Sequence, residues 1–66
     1  MTIGLRIKEL RIEKDMGQEE LAKGLQISRS ALSHYEVGLR QVPNWLIPKI
    51  AKFFNVSTDY LFGLED

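Results

Sequence analysis

Two short apolar stripes, Leu21-Ala22-Leu25 and Ala31-Leu32-Tyr35, constrain this chain more than any other feature. Each has helical spacing, and each sets a small alanine beside a leucine, so two short helices can cross closely. Few residues separate the stripes, so the connection must be tight. The residues around it agree. Ser28 is placed to cap the second of these helices, with Ile27 and Leu32 positioned as a hydrophobic staple across the cap, and Gly38 ends the segment. The helix before it, "QEELAKGL", follows Gly17 as its cap and carries Glu19 and Glu20 in its first turn, where carboxylates suit the helix dipole. Gly24 lowers its helix propensity by about 1 kcal/mol relative to alanine, so packing must hold it.

The flanking segments are helical too. Ile3, Ile7 and Leu10 predict a first helix over about residues 2–14, broken by Asp15-Met16-Gly17. After a loop, "VGLRQVP", Asn44 is the expected cap of a fourth helix with the inner stripe Ile47, Ile50, Ala51 and Phe54. Pro48 falls near the end of its first turn, where a slight distortion is expected. Ser57 caps a fifth helix, Val56 and Leu61 form its staple, and Gly63 stops it. No segment alternates as a strand would. The expected fold is all-α, a compact domain of five short helices.

The chain has 66 residues, enough for one domain spanning 1–66 and near the lower limit for folding alone. With no cysteine and one histidine, neither a disulfide framework nor a metal site is expected, and no cofactor is implied. With no convergent group of acids, there is also no expected catalytic residue. The absence of a long apolar run or signal-peptide pattern makes the expectation a soluble, cytoplasmic protein with no membrane partner.

Net charge is zero, but its distribution is uneven. Residues 21–52 carry Lys23, Arg29, Arg40, Lys49 and Lys52 against Glu36 alone, a net +4, while residues 1–20 sum to −1 and the tail from Phe53 to −3. Within the basic stretch, "ISRSALSHYE" turns Arg29, Ser30, Ser33 and His34 to the side opposite its apolar stripe, with no acid among them. A plain solvated face and a face for a polyanion both fit this pattern.

Two short helices on a tight turn, the second with an uncovered polar face, have the geometry of a helix-turn-helix formed by helices 2 and 3. Over residues 18–38, "QEELAKGLQISRSALSHYEVG" resembles the DNA-binding core of the lambda-repressor-like, Cro-type (Xre) family of bacterial and phage regulators. The matching positions are Gln18, Leu21, Ala22, Ile27, Ser28, Leu32, Glu36 and Gly38, with "IKELR" and "IPKIAKFFNVSTDYLFG" extending the likeness to nearly the whole chain. The chain departs from the pattern at Gln26, where the family has a turn glycine, at Gly17, where it has serine or threonine, and at the apolar Leu39 and Val42.

The resemblance implies a non-enzymatic, sequence-specific transcriptional regulator that binds double-stranded DNA, most simply a repressor acting as a homodimer on a near-palindromic operator. It makes Arg29–Val37 the recognition helix. Arg29, Ser30, Ser33 and His34 become the base contacts, with Arg29 suited to a bidentate bond to guanine. Gln18, Ser28, Arg40 and Gln41 become phosphate contacts, which position the protein without specifying sequence. Arg11 and Glu36 start on core-facing stripes, where a lone charge is costly, and relatives pair them to tie helix 1 to helix 3. Tyr35, Phe54 and Tyr60 read as core. Trp45, Phe62 and Leu64 either close the core or form a dimer contact. The domain also fits the N-terminal part of a longer regulator. A protein-docking module such as an antitoxin of the same fold is the competing reading.

Overall fold

Three junctions between helices are built in the same way. The chain forms α1 (Ile3–Glu13), α2 (Gln18–Leu25), α3 (Arg29–Val37), α4 (Ile47–Phe54) and α5 (Thr58–Leu61). Between α1 and α2, α2 and α3, and α4 and α5, a left-handed residue (Asp15, Gln26, Asn55; φ 59°, 62°, 57°) leads to a half-buried apolar one (Met16, Ile27, Val56). An extended residue then caps the next helix: Gly17, Ser28 or Ser57. In each turn the apolar residue's N–H donates back to a carbonyl of the preceding helix, Met16 to Arg11, Ile27 to Ala22 and Val56 to Ala51, at 2.9–3.0 Å. This satisfies carbonyls that a helix end otherwise leaves free. The computed structural model describes residues 2–65; Met1 and Asp66, the two ends of the expected domain span, lie outside the described residues.

The caps follow the sequence reading at α2, α3 and α5, which begin after Gly17, Ser28 and Ser57, and Thr2 adds a cap to α1 that the sequence reading does not assign. The hydroxyls of Thr2, Ser28 and Ser57 accept from Leu5, Ala31 and Tyr60 N–H, respectively. At α4 the structure corrects it. Asn44 is not the cap; residues 44–46 make a separate turn, and the helix begins at Ile47 after Leu46 with no side-chain cap. Pro48 is therefore the second helical residue, where the missing N–H would have had no helical partner, so proline costs α4 no hydrogen bond.

The core joins all five helices through Ile7, Leu10, Leu21, Ala22, Leu25, Leu32, Tyr35, Ile50, Ala51, Phe54 and Leu61, all buried. Val42 and Leu46, from the loop before α4, complete it. Val42 is thus a packing residue, whereas Leu39 is exposed. Tyr60 is only half-buried, packed against the edge of the core, and Arg6 of α1 covers its ring with the guanidinium 4.3 Å from the centroid. That stacking couples α1 to the short α5.

Two glycines permit close approaches. A β-carbon on Gly4 would collide with the carbonyl oxygen of Tyr35, so glycine lets the start of α1 rest directly on the end of α3. One on Gly24 would lie 2.6 Å from the Phe53 ring, which occupies that space instead. The residue that weakens α2 locally is thus the one that admits α4 beside it.

Candidate nucleic-acid interface

The candidate interface centres on α3 and on what fixes its orientation. Leu32, Tyr35 and Glu36 face inward. Arg11 Nε of α1 donates to Glu36 Oε2 at 2.8 Å and Arg11 Nη2 to Oε1 at 3.1 Å, a two-pronged pair. The Glu36 side chain is 1% exposed and that of Arg11 12%. The Glu36 hydrogen bonds raise the Arg11 pKa above its ordinary value, opposed by burial, so the guanidinium stays charged. Arg11 Nη1 also donates to the Met16 carbonyl at 2.8 Å, which ties the α1–α2 turn to the same group.

A third side chain joins this pair that sequence reasoning did not place there. Gln18 Nε2 donates to Glu36 Oε1 at 3.0 Å, so the residue assigned to a phosphate is held by a buried carboxylate. One amide N–H and the carbonyl oxygen of Gln18 remain available, because a primary amide has two donors. The helical register places Gln18 at the start of α2, but nothing local points to Glu36, 18 residues away.

On the outward side, Arg29 and Ser30 are exposed, and Ser33 and His34 are partly exposed. No acidic side chain belongs to this face of α3. Ser28 is exposed and its oxygen accepts from Ala31 N–H, while its own O–H is free to donate. Beyond the left-handed Gly38, Arg40 and Gln41 are exposed, and the Arg40 guanidinium lies 5.5 Å from the Tyr35 ring centroid. A shallow cavity of about 250 Å³ opens there between the start of α1 and this loop, lined in part by Thr2, Gly4, Arg40 and Gln41.

The turn between α2 and α3 is clamped from outside. Gln26 takes the left-handed conformation, and its side-chain oxygen accepts from Lys49 Nζ of α4 at 2.8 Å. Trp45, Phe62 and Leu64 are 61%, 49% and 74% exposed, so they do not close the core. No described helix is long and apolar enough to cross a membrane.

Residues 7–61 match the helix-turn-helix family model. The HTH-type transcriptional regulator ImmR of Bacillus subtilis (strain 168) is 38% identical over 66 residues, covering 100% of this chain and 52% of ImmR. Antitoxin PezA of Streptococcus pneumoniae serotype 4 is 47% identical over 55 residues, 83% of this chain and 35% of PezA. Among solved structures, the P22 c2 repressor in complex with a synthetic operator superposes with a TM-score of 0.87 at 25% identity, covering 98% of each chain. This chain therefore spans about half of ImmR and about a third of PezA.

Proposed function

The chain belongs to the lambda-repressor-like helix-turn-helix family, and from that premise we propose that it is a sequence-specific regulator of transcription that binds double-stranded DNA. The observation that carries this reading is the outward face of α3: four hydrogen-bonding side chains without an acid, on a helix oriented by a buried ion pair. In it, α3 enters the major groove and Arg29 pairs with a guanine edge, while Ser30, Ser33 and His34 contact neighbouring bases. Gln18, Ser28, Arg40 and Gln41 grip the phosphates on either side. Arg11 and Glu36 hold α3 at its angle to α1 and keep the Gln18 amide pre-oriented, so less side-chain freedom is lost on binding. Regulation then needs only occupancy of an operator that blocks polymerase, in the cytoplasm where the DNA is, and no chemistry. The domain works alone or as the reading head of a longer regulator.

A homodimer fits this mechanism. The exposed Trp45, Phe62 and Leu64 are the apolar side chains for a second copy, and two-fold pairing sets two α3 helices about one DNA turn (~34 Å) apart. Binding selection from a randomised duplex pool at about 150 mM salt tests this directly. Recovery of a two-fold symmetric site is the expected result; a folded protein that enriches no sequence overturns it.

The docking-module reading draws on two observations, the 47% identity to an antitoxin and the same exposed apolar residues. Arg29→Ala separates the two. A DNA reader loses affinity and relaxes its preference at one base pair, whereas a docking module changes in neither.

A further inference from the structure

One face of α4 grips the end of α2 from outside. Lys49 and Phe53 stand at i and i+4 of α4, so they share that face. The Phe53 ring fills the space above Gly24, and beside it Lys49 Nζ donates to the Gln26 side-chain oxygen at 2.8 Å. Gln26 is exposed and left-handed, and its own N–H donates to the Lys23 carbonyl at 3.1 Å. It is the hinge between α2 and α3: Ile27 and the Ser28 cap follow, and Arg29 opens α3. We infer that Lys49 is a positioning residue for DNA recognition: through Gln26 it fixes the direction in which α3 presents Arg29. This rests on the major-groove reading above.

The leverage of this contact is geometric. Rotation about the Gln26 backbone swings the start of α3, and a two-pronged bond from Arg29 to guanine requires the guanidinium to be held within about 0.5 Å of its place. The Ser28 hydroxyl accepts from Ala31, so it orders the first turn of α3 within that helix itself. Near the other end of α3, Glu36 is tied to Arg11 of α1. Lys49 is thus to the start of α3 what Arg11 is to its end, a cation on a neighbouring helix that pins it. A protein whose α3 is already aligned binds without giving up misaligned states, and apparent affinity falls with the fraction that is misaligned.

Dissociation constants for the selected duplex at about 150 mM salt separate this role from that of a plain charge. Lys49→Met keeps the aliphatic stem and removes the amine, whereas Lys52→Met removes the same charge from an exposed site on the same helix. Lys49→Met should bind about fivefold more weakly than Lys52→Met, the worth of one hydrogen bond. Lys49→Arg, which restores a donor, should recover most of that loss. Gln26→Gly should melt above the wild type yet bind as weakly as Lys49→Met, a split that a contact serving stability alone would not produce. With Arg29→Ala already in place, Lys49→Met should cost no more than Lys52→Met. Equal binding by Lys49→Met and Lys52→Met overturns the assignment, and so does Gln26→Gly binding like the wild type. A log–log salt slope shallower by about one for Lys49→Met alone also overturns it, because Lys49 would then touch a phosphate itself. If Lys49→Met does not fold, Gln26→Gly decides alone. If the wild type enriches no duplex, the DNA reading itself fails and the Lys49 assignment falls with it.

Discussion

The α2–α3 and α4–α5 junctions share one backbone and serve different ends. Their left-handed residues, Gln26 and Asn55, differ by only a few degrees in φ and ψ, and their caps, Ser28 and Ser57, hold nearly the same extended conformation. Yet α3 runs for 9 residues and displays a donor-rich outer face, whereas α5 runs for 4 and is followed by exposed Phe62 and Leu64. The turn therefore identifies a helix boundary and not a recognition helix. What distinguishes α3 from α5 is its length, its acid-free outer face and the buried charge that anchors it.

The largest effect that would break this comparison is loss of that anchor. Glu36→Ala leaves the Arg11 guanidinium and the Gln18 amide without their partner, and a loss of about 3–5 kcal/mol in unfolding free energy is expected from urea titration. A loss below about 0.5 kcal/mol would show that the pair does not hold α3 on α1. Next comes the outer face: Arg29→Ala should cost about 1–3 kcal/mol in affinity for the selected duplex, read by fluorescence anisotropy. Its stability should stay within about 0.5 kcal/mol of the wild type, as for other exposed positions.

Smaller effects sharpen the likeness of the two turns. Ser28→Ala and Ser57→Ala each remove a cap and should each lower stability by about 1 kcal/mol in the same titration. A marked inequality would mean that the four-residue α5 frays independently of the core. The left-handed positions should behave differently. Gln26→Gly relieves a conformation costing roughly 1 kcal/mol, so a net gain just under that is expected once the Lys49 bond is lost. Asn55→Gly should change stability by only a few tenths of a kcal/mol, because asparagine tolerates the conformation. Equal shifts in thermal midpoint at the two sites would remove the distinction.

Most of the fold was legible because periodicity and capping are local. The apolar stripes of α1, α2 and α4 became core as their spacing required, and Ser28 and Ser57 capped where their neighbours said they would. The start of α4 was misread because Asn44 is a good cap by type, while the 44–46 turn in front of Ile47 is set by burial of Val42 and Leu46 on either side of Pro43 and Asn44. Tyr60 was read as core from its helical position, and only the arrival of Arg6 from α1 shows why its ring is half covered. In the candidate interface, the polar composition of the outer face of α3 was readable from residue spacing, as was the need to pair Arg11 and Glu36. The third member, Gln18, was not.

By itself, the sequence determined the five helices, their ends apart from the start of α4, and which face of each is apolar, because these depend on residues within about one turn of each other. Only the tertiary structure decided that Gln18 leans on Glu36, that Phe53 fills the space above Gly24, that α1 rests on the Tyr35 carbonyl, and that Trp45, Phe62 and Leu64 stay outside the core. Those choices join residues far apart in the chain. They are settled by which surfaces fit when the helices close-pack, a condition on the whole molecule that no local spacing contains.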